Sequence, residues 1–162
     1  MHAYLLALEV APMNVGKTYA MLPLHCTLVQ WFWLDLDSAS LTKQLKPLMK
    51  HTPPLKLISG EETTYTGTTK QGTIPVTVNI VDLTPDLKKL HLQICDKLNE
   101  LKVTYTAPQY VGEGYGPHIT HQKGEKLPEG MVHTSTAVYL IEANAPEYGN
   151  DRHICFKIEL SP

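Results

Sequence analysis

Two short segments constrain this chain more than any others. LHCTLVQWF, residues 24–32, and PHITH, residues 117–121, each set a histidine and a threonine two apart in an apolar, strand-like context. Residues i and i+2 of a strand share a face. His25 therefore points the same way as Thr27, and His118 the same way as Thr120. One such strand falls in each half of the chain. If the halves pair, two imidazoles and two hydroxyls meet in one cleft.

The rest of the sequence supplies elements for such a pairing. Tyr4 to Val10 reads as a short buried strand closed by Ala11-Pro12, and residues 13–23 as a loop. Leu24 to Leu34 is the first histidine-bearing strand. Asp35 or Asp37, with Ser38 and Ser40, offers N-cap chemistry. Leu41, Leu45, Leu48 and Met49 then recur at helical spacing. Pro47 predicts a kink or an early end to that helix. Leu55 to Thr68 and Ile74 to Leu83 read as a hairpin around Gln71-Gly72. Thr84-Pro85 starts a second helix, with Leu87, Leu90, Ile94, Leu98 and Leu101 on one face. Val111 to Gly116 is a glycine-rich loop, Pro117 to Gln122 a short strand, and two more strands follow at 132–142 and 152–160. The order β, β, α, β, β, α, β, β, β predicts an α+β class with an antiparallel or mixed sheet. No low-complexity segment or linker divides the chain, so residues 1–162 read as one domain.

Bulk properties narrow the function. A net charge of −2 over 162 residues is a poor footprint for gripping a long phosphate backbone, but leaves room for a small anion held by a few placed groups. Three widely spaced cysteines, Cys26, Cys95 and Cys155, suit reduced, buried thiols in the cytoplasm better than a disulfide framework or a zinc ribbon. The N-terminus lacks a basic leader and reads as a first strand, and no run approaches a membrane span.

Two histidines and two threonines suit metal-free chemistry on a phosphodiester. One imidazole takes a proton from the attacking hydroxyl or water, and the other gives a proton to the leaving oxygen. The hydroxyls donate to the non-bridging phosphate oxygens. As bare strings the two motifs are weak, and core histidines bonded to carbonyls are the plain alternative. Their repetition in matching strand contexts favours a site.

On these residues, His25-Cys26-Thr27-Leu28 and His118-Ile119-Thr120-His121, the chain resembles the 2H phosphoesterases, the group with 2′-5′ RNA ligase-like and cyclic phosphodiesterase members. The resemblance covers nearly the whole chain. It implies two pseudo-symmetric lobes of antiparallel sheet, helices packed outside, and a central cleft. It also implies metal-independent cleavage of a 2′,3′-cyclic phosphate or a 2′-5′ linkage in a small nucleotide or RNA end. No cofactor, metal, membrane or extended nucleic-acid interface is expected, and a monomer is favoured. His25 and His118 would share the acid and base roles, with Thr27 and Thr120 on the phosphate. Cleavage of cyclic oligonucleotide signals, which some small viral members perform against bacterial defence, is a second enzymatic reading. A non-catalytic nucleotide-binding module is a third. The family has an apolar residue after the second threonine, whereas this chain has His121, whose parity turns it away from the motif.

Further candidates are weaker. Tyr115, three before His118, is placed to stack on a base. Trp31 shares the parity of Thr27 and is a candidate for the far end of the cleft, although a core position suits it better. Tyr65 and Trp33 rank below it. Lys17 lies in the loop that leads to His25. The Gly16-Lys17-Thr18 string is not a P-loop, because Ala11 stands where that motif needs glycine. Tyr148 and Arg152 flank a turn and are candidates for substrate contact. His91 has no evident partner.

Overall fold

The computed structural model describes residues 1–69, 71–144 and 151–162. Tyr148 lies outside the described residues. β1 spans His2–Glu9, β2 Thr18–Tyr19, β3 His25–Leu34, α1 Ser38–Lys50, β4 Leu55–Thr69, β5 Gly72–Val81 and α2 Pro85–Glu100. β6 follows at Thr104–Tyr105, β7 at His118–Thr120, β8 at Val132–Ser135, β9 at Ala137–Ala143 and β10 at Arg152–Glu159.

The strands form one sheet in the order β2-β10-β9-β1-β3-β7-β5-β4-β8, with β6 hung on β3. Every neighbouring pair in it is antiparallel. The class is α+β, and the sheet brings the two histidine-bearing strands side by side at its middle.

Both helices cover one face of the sheet. Leu41, Leu45 and Met49 of α1 and Leu87, Ile94 and Leu98 of α2 pack with Tyr4, Leu6, Leu28 and Phe32. Each fully buried leucine in that layer removes apolar surface from water, at about 1.5–3 kcal/mol per side chain. On the opposite face the loop after β1 folds back. Its Met13 and Leu22 cover Leu5, Ala7, Tyr139, Ile141 and Ile154 in a second, smaller cluster. This covering closes one half of that face and leaves the β3–β7–β5 half open.

The helix ends follow their caps. The Asp37 carboxylate accepts from the Ser40 N–H at 2.8 Å, and the Thr84 hydroxyl from the Leu87 N–H at 3.3 Å. α1 does not end early at Pro47 but runs on to Lys50. Pro47 faces solvent, so the Lys43 carbonyl left without an N–H partner is not trapped in the core. β7 is shorter than the 117–122 expected, and the two-residue strands β2 and β6 carry no sequence signature.

Candidate active site

The register of β3 against β7 builds the site. Cys26 stands opposite Ile119 in an antiparallel pair. Stepping one residue outward puts His25 opposite Thr120 and Thr27 opposite His118. Cys26 and Ile119 are fully buried against the helices. Their neighbours therefore project from the other face, and all four polar side chains share it. Directly opposed Cβ atoms lie about 4.5–5.5 Å apart. Each imidazole thus faces the hydroxyl of the other motif. On the far side of β7, Ile80 stands opposite His118 and Val78 opposite Thr120.

The two imidazoles are held alike. His25 Nδ1 lies 2.9 Å from the Pro23 carbonyl oxygen, and His118 Nδ1 lies 3.0 Å from that of Gly116. In both cases the acceptor is two residues earlier. A carbonyl only accepts, so Nδ1 carries the proton and donates, which leaves each Nε2 for chemistry. Burial pushes the His25 imidazole below its ordinary pKa, and the nearby charges of His118 and Arg152 push the same way, against a raising effect of the Pro23 bond. Arg152, at the start of β10, is anchored by an Nη1–H bond of 2.8 Å to the Ala20 carbonyl.

A bulge sits inside the first motif. β1 pairs Ala7 with Thr27 and Leu6 with Val29, so Leu28 is skipped. Side chains supply partners for the carbonyls there. The Tyr115 hydroxyl donates to the Thr27 carbonyl, and His91 Nδ1 to that of Leu28, each at 2.8 Å. His91 Nε2 accepts the Gly112 N–H at 2.9 Å, and its ring stacks on Tyr115 with centroids 3.9 Å apart. His91 is 1% exposed, and burial lowers its pKa, opposed by the Leu28 bond. Its place in the apolar stripe of α2, between Leu90 and Ile94, is the only sequence signal for this role.

The open half of the face holds a cavity of about 760 Å³, whose wall includes Thr27, Thr120, His118, Gln30, Tyr65 and Tyr110. His25 stands beside this wall and is not part of it. The weaker candidates scatter. Tyr115 reaches the cavity, but it is 8% exposed and its ring is stacked on His91, so it acts as a packed support. Lys17 is outside the cavity: its ammonium lies 4.7 Å from the Tyr19 ring centroid, at the β2 edge of the sheet. Trp31 packs on the second cluster, while Gln30 takes the place in the cavity wall. Two register shifts against β1 cause this by breaking the two-residue alternation of β3.

Tyr65 is closer to the chemistry than its sequence context suggested. Its ring meets that of His118 at 88°, with centroids 5.1 Å apart. Tyr110 went unnoticed in the sequence. His121 Nε2 lies 2.7 Å from Asn79 Oδ1, on the face opposite to the motif. Among the described residues no cluster of three His, Cys, Asp or Glu is arranged to hold a metal ion, and no helix is long and apolar enough to cross a membrane.

This architecture matches known structures. A phosphoesterase crystal structure aligns over 99% of both chains with a TM-score of 0.54 at 15% identity. A protein of Thermus thermophilus aligns over 99% of this chain and 98% of its own, with a TM-score of 0.58 at 15% identity. Escherichia coli LigT, in complex with 3′-AMP, aligns over 99% of both chains with a TM-score of 0.56 at 14% identity. The fold is that of the 2H phosphoesterases. No protein-family model and no curated protein matches the sequence. That fold is carried here by a sequence only 14–15% identical to these neighbours, with the two H-x-T strands adjacent at the centre of the sheet.

Proposed function

We propose that this chain is a metal-independent phosphodiesterase of the 2H type, acting on a 2′,3′-cyclic phosphate or a 2′-5′ linkage in small nucleotides or RNA ends. The observation that carries the reading is the Cys26–Ile119 register, which sets each histidine across from the threonine of the other motif. The site draws on strands from both halves, so residues 1–162 work as one unit.

In this reading the phosphate sits over the four side chains. Thr27 and Thr120 donate hydroxyl hydrogens to its non-bridging oxygens and hold phosphorus in line. His25 is the base, because its lowered pKa keeps Nε2 unprotonated near neutrality. It takes the proton of the attacking water as the new P–O bond forms. His118 gives its Nε2 proton to the leaving oxygen as the old P–O bond breaks. Among the described residues the wall carries no Lys, Arg, Asp or Glu, which suits a short ligand. The 3′-AMP bound to LigT is a ligand of that size.

The test is incubation in EDTA with 2′,3′-cyclic mononucleotides, 2′-5′ dinucleotides and cyclic di- and trinucleotides, with products separated by chromatography. Turnover should survive EDTA and fall by a factor on the order of 10²–10⁴ in His25→Ala and His118→Ala. Binding without turnover of any substrate would replace this reading with that of a nucleotide-binding module.

A further inference from the structure

We infer that the substrate carries a nucleoside on each side of the scissile phosphate, one base resting on Tyr65 and the other on Tyr110. This rests on the phosphodiesterase reading and narrows its substrate class.

The cavity has two aromatic walls from different parts of the chain. Tyr65 comes from the β4–β5 hairpin, and Tyr110 from the turn that leads from β6 towards β7. Both belong to the small set of large side chains left exposed, at 43% and 51%, and both line the cavity that contains Thr27, His118 and Thr120. A tyrosine offers any base a face to stack on, whatever its sequence. One such platform serves a mononucleotide, whereas two on separate walls serve a ligand with two bases.

Two glycines line those walls where the packing admits no side chain. A Cβ on Gly67, two residues along β4 from Tyr65, would lie 2.5 Å from a Val76 methyl. A Cβ on Gly114 would lie 1.9 Å from the Gln109 carbonyl oxygen. At about 760 Å³ the space is in the upper part of the ~300–1,000 Å³ range of small-ligand sites. Among the described residues the wall holds no Lys or Arg, which suits two bases joined through the one phosphate over the motif better than a ligand with several phosphates.

Three sources share this chemistry: a linear 2′-5′ dinucleotide, a linear 3′-5′ dinucleotide and a cyclic dinucleotide. The experiment measures kcat/KM for each, against the matching 2′,3′-cyclic mononucleotide, in wild type, Tyr65→Ala and Tyr110→Ala. At least one dinucleotide should exceed the mononucleotide by about tenfold or more, a factor typical of one stacked base. Tyr110→Ala should lower the dinucleotide value about tenfold more than the mononucleotide value. Equal use of both substrates, or equal losses in the variants, overturns the inference. If nothing turns over, the phosphodiesterase reading fails and calorimetric binding decides the rest. Tighter dinucleotide binding that Tyr110→Ala abolishes sustains the inference, and equal affinity ends it.

Discussion

The Tyr115 hydroxyl donates to the backbone carbonyl of Thr27 at 2.8 Å, across 88 positions of sequence. The loop before one motif thereby holds the bulge inside the other. Tyr115→Phe removes that donor but keeps the ring on His91. A buried carbonyl without a partner costs about 1–3 kcal/mol. We expect a loss of that size in denaturant unfolding, with a fall in kcat rather than a rise in KM. A rise in KM alone would return Tyr115 to the base-stacking role its position suggested.

Stability should fall with acid. His25 and His91 both have folded pKa values below the ordinary 6.5, so the unfolded chain binds more protons around that pH. Stability therefore rises with pH through this window and is lost on going from pH 7.5 towards pH 5. His91→Phe removes one of the two groups. Its melting temperature should be lower at pH 7.5 but should change less between pH 7.5 and pH 5 than that of wild type.

The same field governs the chemistry. With His25 as base, kcat/KM has an acid limb below pH 6.5. Arg152 helps to hold the His25 pKa down. Arg152→Gln should move that limb to higher pH, as read from the pH–rate profile. An unmoved limb would assign the base role elsewhere.

Gly114 ties the cavity wall to a close backbone contact. A Cβ there meets the Gln109 carbonyl oxygen at 1.9 Å, a backbone atom that cannot swing aside. Gly114→Ala must shift the cavity wall. Misplacement on the 1 Å scale can cost up to about a hundredfold in rate. We expect kcat/KM to fall by tenfold or more and the melting temperature to fall with it, because the clash is with backbone beside the buried Tyr115.

The thiols should differ in reactivity. Cys26 and Cys95 are buried, whereas Cys155 is partly exposed, although burial and Glu142 push its pKa up to about 11. At pH 8 a maleimide should label Cys155 slowly and alone, as read by mass spectrometry, and all three after unfolding.

The helices were legible because their signals are local. Thr84-Pro85 announces a capped start, and the leucine spacing announces the buried face. The motif strands were legible because a histidine and a threonine stand out in an apolar run. What failed depended on pairing between distant segments. Two shifts of β1 against β3 decide that Gln30 rather than Trp31 meets the cavity, and no local pattern encodes them. Tyr65 reaches His118 only through the strand order β4-β5-β7. His91 found its partners at Leu28 and Gly112, which are 63 and 21 positions away. The early end offered at Pro47 did not occur, and the residue lies on the solvent side of the last turn.

β1 is almost wholly buried and lies between β3 and β9. During synthesis it precedes every other strand described, yet its second neighbour, residues 137–143, emerges after all of them but β10. Until then any β1–β3 pair has a bare apolar edge, the kind of edge that recruits other chains. Aggregation of the nascent protein is therefore expected to be greatest before β9 leaves the ribosome. Slow codons in the stretch before β9 would prolong that exposure, and a chaperone that shields the edge would have its largest effect there.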